Sequence, residues 1–305
     1  MNLKPIKLLF QLSRPFFLLS GALFYALGVG IARYLGFSID WNLYFIGQLW
    51  VSAMQLATHY LNEYFDGPND KSNHNRTPFS GGSGVLGEET GQLDPRVALL
   101  AAAAMLTTVA LTTFGLGRAG VLGPVVGTIL ALTFFGAFFY SVPPVRLSAS
   151  GFGELTASFI LANLVPALGF ALQSGELHRL LAMSTFPLTA LSMAAMLAFE
   201  LPDFASDLKV GKRTLLVRLD WRQGMQAHNA FIVAAYLLLL VAYLMGLPAA
   251  IAFPPLFTFP LGLLQIWYLH RIREGIKPNW TALTLNAVML VGAVSYLLTY
   301  TFWTR

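Results

Sequence analysis

The sequence predicts an all-α, polytopic membrane protein with nine transmembrane helices. The 305 residues are 56% hydrophobic and 11% charged, and the mean hydropathy is +0.64. A soluble domain carries about 25% charged residues, so this chain lacks the polar surface of a soluble enzyme. The same composition excludes a disordered chain, and apolar runs of about 20 residues, long enough to cross a bilayer, recur along the sequence.

Nine apolar runs reach the length of a spanning helix. The charge-free run 223–269 is too long for one helix, and we divide it at Gly246-Leu247-Pro248, where a turn is expected. We expect one domain, residues 1–305, with helices 1–4 over about 15–142, helices 5–8 over about 153–270 and helix 9 over about 280–303. The predicted spans are 15–35, 42–63, 97–117, 120–142, 153–173, 180–201, 226–246, 248–270 and 280–303.

The basic residues predict the orientation. Fifteen of the 19 Lys and Arg residues fall on one side of the nine predicted spans, which places the N-terminus in the cytoplasm and the C-terminus outside. The net charge of +5 then indicates loops that face anionic lipid, and no nucleic-acid partner is expected. Because the chain has no cysteine, a disulfide framework, a cysteine-bound zinc and a thiol nucleophile are excluded.

Two acidic motifs lie where a helix leaves the membrane on the predicted cytoplasmic side. Asn62, Asp66 and Asp70 are spaced i, i+4 and i+8, and Asp203 and Asp207 repeat the i, i+4 step. Such spacing aligns side chains on one helix face, where like charges repel, so a divalent cation is the expected counter-charge. All-oxygen ligands favour Mg²⁺, Mn²⁺ or Ca²⁺, and Mg²⁺ shares its coordination with phosphate oxygens.

Basic residues flank both motifs, a pattern that suits a diphosphate leaving group. They are Arg76, Arg146, Lys209, Lys212 and Arg213. Two other functions are alternatives to an enzyme that acts on a diphosphate. The first is a cation transporter or channel, and the second is a non-catalytic membrane protein that binds lipid or metal. Both acidic motifs lie at one membrane face and not at the midplane, which argues against a transporter.

Pro68 is predicted to end the first acidic helix.

The motifs resemble those of the UbiA superfamily of intramembrane prenyltransferases. The first fits the family pattern N-x-x-x-D-x-x-x-D and the second fits D-x-x-x-D. Residues 140–147 (YSVPPVRL) resemble the family's Y-[ST]-x-P-P-x-[RK]-L segment, and a G-x-G-E sequence follows at 151–154. Ser13-Arg14-Pro15, at the start of the first helix, is also similar to the family. The departures are Glu200 and Pro202, which stand where many relatives have Asn and Arg.

The resemblance implies a nine-helix bundle around a central cavity with a cytoplasmic cap, and Mg²⁺-dependent transfer of an isoprenyl group from its diphosphate to an aromatic acceptor. It assigns Mg²⁺ and diphosphate to Asn62, Asp66, Asp70, Asp203 and Asp207. It assigns further diphosphate contacts to Arg14, Arg76, Arg146 and Lys212. The catalytic residues it implies are Asp66, Asp203, Tyr140 and Arg146, with Tyr140 near the departing allylic carbon.

The segments 62–66 and 76–84 resemble the 1,4-dihydroxy-2-naphthoate branch, which serves menaquinone synthesis. Other acceptors of the family stay open: 4-hydroxybenzoate, homogentisate, chlorophyllide or a glycerol-phosphate lipid precursor. The expected partners are the prenyl diphosphate, the small aromatic acceptor and the bilayer, with no obligate protein partner. The expected location is the inner (cytoplasmic) membrane, with the active site facing the cytoplasm.

Aromatic side chains near the motifs are candidates to stabilise an allylic cation. They are Tyr64, Phe65, Tyr140 and Phe199. His59 lies two helical turns before Asp66 on the same predicted face. It is a candidate base or hydrogen-bond partner for the acceptor, with a purely structural role as the alternative.

Overall fold

The computed structural model is all-α over the residues that it describes, 4–70, 73, 75–87 and 92–305. For residues 4, 5 and 68–70 it describes the backbone only. In this part of the chain β pairing is limited to two isolated bridges. The thirteen α-helices are α1 (Lys4–Leu12), α2 (Pro15–Tyr34), α3 (Trp41–Asp70), α4 (Pro95–Arg118), α5 (Pro124–Phe138), α6 (Gly153–Phe159), α7 (Val165–Ser174), α8 (Arg179–Glu200), α9 (Phe204–Val210), α10 (Leu215–Leu244), α11 (Ala249–Ala252), α12 (Phe259–Arg273) and α13 (Trp280–Thr304).

Seven helical segments in the described part of the chain are long and apolar enough to cross a membrane. They are Pro15–Tyr34, Pro95–Arg118, Gly153–Ser174, Arg179–Glu200, Leu215–Leu244, Ala249–Arg273 and Trp280–Thr304. Two predicted spans do not meet this criterion. α5 is apolar but has only 15 residues, and α3 carries polar side chains such as Gln55 and His59 along its length.

The helix ends differ from the predicted ones for local reasons. The predicted span 120–142 shortens to α5 because Pro124 occupies the first helical turn and the chain turns after Phe138. α10 begins eleven residues before the predicted start at 226, because Thr214 caps its first turn, and Asp220 (φ 69°) divides it into a short and a long piece. The prediction that Pro68 ends its helix is wrong. α3 continues through Pro68 to Asp70.

The outer surface of the bundle is apolar, as a lipid-facing surface requires. Phe257, Leu244 and Leu100 are 83%, 73% and 71% exposed. The helices differ in how deeply they sit in the bundle, because 78% of the apolar window of α8 is buried, against 22% for α4. α8 is therefore a central helix, and the second acidic motif follows shortly after its last residue, Glu200.

Close glycine contacts and buried amides hold the bundle around the site. A Cβ atom on Gly28 of α2 would lie 1.8 Å from the carbonyl oxygen of Pro166 in α7, so only glycine permits this approach. A π-helical turn (Ile160–Leu164) joins α6 to α7. It places Asn163 where the amide oxygen accepts a 2.8 Å hydrogen bond from Thr185 of α8, which ties the two segments together.

Candidate active site

A cavity of about 250 Å³ opens within the bundle. One end is polar, with Asn62 and Asp66 from α3 facing Asp203 and Asp207 across the space. The other end is apolar and is lined by Trp50, Val51, Met54, Ala137, Ile160, Leu161 and Val165. The cavity therefore joins a charged compartment to a hydrocarbon compartment.

The first acidic motif is a hydrogen-bonded pair on α3. Because Asn62 and Asp66 are four residues apart on one helix, the Asn62 amide donates to Oδ2 of Asp66 at 3.0 Å and also to Oγ of Ser141 at 3.2 Å. Asp66 is only 2% exposed. The third member of the motif, Asp70, ends α3, and its side chain lies outside the described residues.

Two predicted diphosphate contacts meet at Asp66. Arg146 donates from Nη2 to Oδ1 at 3.0 Å, and Lys212 donates from Nζ to Oδ2 at 3.3 Å. Left-handed backbone turns bring both residues there: Arg146 itself has φ 43°, and Gly211, just before Lys212, has φ 72°. Lys212 and Tyr140 line the cavity, whereas Arg146 reaches the site through Asp66.

The second acidic motif begins a short helix. Asp203 precedes α9, and Asp207 is in its first turn, where its backbone N–H donates to the Asp203 carbonyl at 2.9 Å. Burial raises the pKa of Asp207 to about 6, with Asp66 and Glu154 adding to the increase and the positive charge of Lys212 opposing it. Folding therefore disfavours the ionised form of Asp207, and a cation bound beside it would stabilise that form.

A glycine-rich loop (residues 75–87) lines the cavity and contacts carboxylates of α3 and of the second motif. The N–H of Gly81 donates to Asp203 at 3.1 Å, and the Asn73 amide just before the loop also donates to Asp203. Glu63 of α3, 3% exposed, accepts hydrogen bonds from the N–H and the Oγ of Ser83, both at 2.7 Å. The loop is therefore attached to carboxylates on both sides of the cavity.

Two predicted diphosphate contacts have other neighbours. Arg14 lines the cavity, and its guanidinium forms an ion pair with Glu63. Arg76 is exposed in the glycine-rich loop and borders a surface hollow with Lys277 and Trp280. Of the four, Lys212 and Arg146 therefore contact an acidic motif directly, Arg14 pairs with the neighbouring Glu63, and Arg76 borders the surface hollow.

Two further carboxylates fix the start of α10. Glu154 accepts a 2.7 Å hydrogen bond from the N–H of Leu215, and Glu200 accepts one from Leu216 at 3.3 Å. The first N–H groups of a helix have no partner within the helix, so these two carboxyl groups satisfy N–H groups that would otherwise be unpaired. Glu200, which departs from the family pattern, therefore positions the segment that carries Lys212.

The acidic side chains of the site offer the oxygen ligands that Mg²⁺ prefers. Within the described part of the chain, no three His, Cys, Asp or Glu side chains come together as a metal site. Mg²⁺ is commonly held by one or two carboxylates, with water and substrate phosphate completing its shell. The oxygen atoms of Asp203 and Asp207 fit that shared mode, and they do not fit a site made of protein ligands alone.

Comparison with known proteins supplies the family. The model of the UbiA prenyltransferase family matches residues 21–288. The chain belongs to the UbiA prenyltransferase family. It is accordingly a multi-pass membrane protein and a prenyltransferase, and the resemblance seen in the sequence is confirmed.

Individual relatives add detail. The chain is 30% identical over 218 residues, 70% of each protein, to a 1,4-dihydroxy-2-naphthoate octaprenyltransferase of Mycobacterium leprae. It is similar in fold to a UbiA homologue from Archaeoglobus fulgidus bound to GPP and Mg²⁺, with a TM-score of 0.58, 15% identity and coverage of 94% and 98% of the two chains. A digeranylgeranylglyceryl phosphate synthase has a TM-score of 0.63 at 12% identity, covering 98% and 97%.

The structure also reveals polar residues that the sequence did not single out. Glu63, Asn73 and Ser83 connect the glycine-rich loop to the motifs, and Ser141 supports Asn62. A signal for Glu63 was available, because a carboxylate at the membrane boundary next to a motif is itself unusual. The contacts of Asn73 and Ser83 depend on how the loop folds, and no spacing in the sequence reports that.

Proposed function

We propose that the protein transfers an isoprenyl group from a prenyl diphosphate to a small aromatic acceptor, and that this acceptor is 1,4-dihydroxy-2-naphthoate of menaquinone synthesis. The observation that carries the proposal is the two-part cavity, with Asp66, Asp203, Asp207 and Lys212 at one end and apolar side chains at the other. A prenyl diphosphate likewise has a charged end, the diphosphate, and an apolar end, the hydrocarbon tail. The naphthoate acceptor is supported by the Mycobacterium leprae relative.

The residues of the chain suggest how the reaction proceeds. The bond between C1 of the prenyl group and the diphosphate oxygen breaks, and its electron pair leaves with the diphosphate. Lys212 and Arg146 can stabilise this negative charge from their positions on Asp66. A ring carbon of the acceptor then bonds to C1, and the ring releases a proton or, for the naphthoate, CO₂.

The metal and the catalytic tyrosine complete the proposed site. Mg²⁺, when bound, supplies positive charge beside the leaving diphosphate. We assign it to Asp203 and Asp207, with Asn62, Asp66 and Asp70 of α3 as the other oxygen ligands. Tyr140 lines the same cavity and is assigned a place near the allylic carbon, where its ring face can stabilise positive charge.

We further propose a location and topology. The chain forms one domain of nine spans in the inner membrane, in which α3 and α5 cross the bilayer together with the seven segments of sufficient length and hydropathy. The N-terminus and the active site face the cytoplasm, and the glycine-rich loop contributes to a cytoplasmic cap. The excess of basic residues on that side supports this orientation.

A transfer assay tests the function. Purified protein is incubated with Mg²⁺, labelled prenyl diphosphates of several lengths and separate acceptors: 1,4-dihydroxy-2-naphthoate, 4-hydroxybenzoate, homogentisate, chlorophyllide and a glycerol-phosphate lipid precursor. We expect a prenylated naphthoate product and released diphosphate. Product with a different acceptor only would correct the assignment, and no product with any acceptor would refute the proposal.

A matched pair of lysines provides the control. Lys212 contacts Asp66 in the cavity, whereas Lys209 is exposed on α9, three residues away. We expect Lys212→Met to lower kcat at least about 10-fold through loss of charge at the leaving group, and Lys209→Met to leave kcat unchanged. Equal effects of the two substitutions would show that the position of Lys212 is not important.

A further inference from the structure

Four aromatic rings from separate parts of the fold line one section of the cavity. Phe17 comes from α2, His59 from α3, Phe79 from the glycine-rich loop and Phe199 from α8. We call them the aromatic box. No two of them are neighbours in the sequence, so the box exists only in the folded bundle.

The rings contact one another around Phe17. Its centroid lies 5.9 Å from that of His59, 5.9 Å from that of Phe79 and 6.1 Å from that of Phe199, each with edge-to-face geometry. Phe79 and Phe199 are nearly parallel, at 21° and 6.3 Å. Faces and edges of rings at such distances are favourable surfaces for a further aromatic ring.

The box lies beside the acidic motifs. His59 is one turn before Asn62 on α3, and Phe199 is one turn before Asp203 at the end of α8. Trp50, at the apolar end, is nine residues before His59, or about 13 Å along the helix axis. A molecule in the box would therefore be next to the diphosphate compartment and away from the bottom of the hydrocarbon compartment.

His59 gives the box a single defined polar atom. Its Nδ1 lies 3.4 Å from the carbonyl oxygen of Ser13, which is only able to accept a hydrogen bond. Nδ1 therefore carries the hydrogen, and Nε2 of the neutral ring keeps its lone pair. A hydroxyl group is the natural donor to that nitrogen.

Resting on the proposed function, we propose that the aromatic box is the acceptor subsite and that it selects a flat, hydroxylated aromatic ring. The ring of the acceptor packs against Phe17, Phe79 and Phe199, and one hydroxyl donates to Nε2 of His59. His59 is thus a specificity-determining residue. Phe79 belongs to the glycine-rich loop, so closure of the loop completes the subsite.

The shape of the box favours this class of acceptor over a glycerol-phosphate lipid precursor, which has no flat ring to pack against Phe17, Phe79 and Phe199. The naphthoate also carries a carboxylate, which a cation stabilises better than an aromatic face does. Arg14 lines the cavity on this side, and its guanidinium is paired with Glu63. We therefore place the ring of the acceptor in the box and its carboxylate toward Arg14.

Steady-state kinetics with both substrates varied tests the subsite. The variants are His59→Leu, His59→Gln and Phe79→Leu, with Phe135→Leu as control, because Phe135 is 57% exposed on α5 and does not line the cavity. We expect His59→Leu and Phe79→Leu to raise the KM for the naphthoate about 10-fold with an unchanged KM for the prenyl diphosphate. Gln should restore part of the affinity, since its amide oxygen accepts a hydrogen bond.

Binding of 1,4-dihydroxy-2-naphthoate to the protein without prenyl diphosphate is measured in parallel. If the wild type binds the naphthoate through the box but transfers nothing, the proposed function fails and the subsite stands. If the wild type transfers the prenyl group and all box variants keep the wild-type KM for the acceptor, the subsite is refuted. The subsite is also refuted if the box variants release diphosphate more slowly than the wild type in the absence of acceptor and keep the wild-type KM for the acceptor. That result would assign the rings to stabilisation of the allylic cation.

Discussion

The two acidic motifs share the spacing of their aspartates and differ in what holds them. Asp66 accepts hydrogen bonds from two cations, Arg146 at 3.0 Å and Lys212 at 3.3 Å, that are distant in sequence. Asp203 accepts hydrogen bonds from the N–H of Gly81 and from the amide of Asn73. The first motif thus fixes positive charge in the cavity, and the second fixes the glycine-rich loop.

This difference assigns separate tasks to similar sequences. Cations held at Asp66 are placed to meet the diphosphate, whereas the second motif carries Asp207, a buried carboxyl whose pKa is raised to about 6. Burial makes the ionised carboxyl of Asp207 unfavourable, and a bound metal ion would offset that cost. We therefore expect the second motif to contribute more to metal affinity and the first to the position of the diphosphate.

The largest effects are expected on turnover. Asp203→Asn and Asp207→Asn should each lower kcat about 100-fold or more, in the range seen when one preorganised electrostatic contact is removed. Raising the Mg²⁺ concentration should restore more activity in these variants than in Asp66→Asn. Equal rescue of all three variants by Mg²⁺ would show that the two motifs have the same task.

Substitutions in the two motifs should have opposite effects on the stability of the metal-free protein. Asp66→Asn removes the negative charge that Arg146 and Lys212 contact and should lower the free energy of unfolding by about 2 kcal/mol. Asp207→Asn should stabilise the metal-free protein at pH 7, because a raised pKa means that folding disfavours the ionised carboxyl.

The Asp207 effect has a defined pH window. The cost of ionisation is fully present above the folded pKa of about 6 and disappears as pH falls toward the ordinary value of 3.8. The stability gained by Asp207→Asn should therefore shrink between pH 6 and pH 4. Thermal unfolding in the presence of a chelator measures it, and a gain that is independent of pH would contradict the assignment.

A smaller effect is expected at the attachment of the glycine-rich loop. Glu63→Gln weakens the contact with Ser83 and removes the charge that pairs with Arg14, so we expect an about 10-fold loss of kcat/KM and faster proteolysis within residues 75–87. Ser83→Ala retains the backbone hydrogen bond to Glu63 and should have a weaker effect. Unchanged proteolysis in Glu63→Gln would show that the loop is held by other contacts.

The smallest effect is expected at the start of α10. Glu154→Gln should destabilise the protein by about 1 kcal/mol, because an amide replaces the carboxyl group that accepts the 2.7 Å hydrogen bond from the Leu215 N–H. Glu176→Gln, at an exposed position, is the matched control. Thermal shift measurements compare the two, and an equal shift in both would remove the helix-end role of Glu154.

The sequence was most informative where the decisive interactions are local. The spacing of Asn62 and Asp66 predicted a contact on one helix face, and the structure has that hydrogen bond. The apolar runs predicted most helices to within a few residues, because a bilayer requires a nearly fixed length of hydrophobic helix. α10 departed because its first residues lie before the apolar run, and capping, not hydropathy, decides where it begins.

Contacts between distant segments were not predictable in this way. The sequence identified Arg14 and Lys212 as cations near a diphosphate, but their partners, Glu63 and Asp66, lie on another helix and depend on how the bundle packs. The role of Glu200 could not be seen either, since its partner at Leu216 is reached only after the chain turns back around α9. A single sequence without related sequences carries no record of such pairs.

The hydrogen bond between Gly81 and Asp203 joins the loop to a carboxylate that we assign to the metal. By thermodynamic reciprocity, the factor by which a bound cation changes attachment of the loop is also the factor by which loop attachment changes the affinity for the cation. Metal occupancy and loop closure are then coupled equilibria, and a change in free Mg²⁺ shifts the fraction of molecules with the loop attached. The glycine-rich loop would therefore report on the metal even in molecules that hold no substrate.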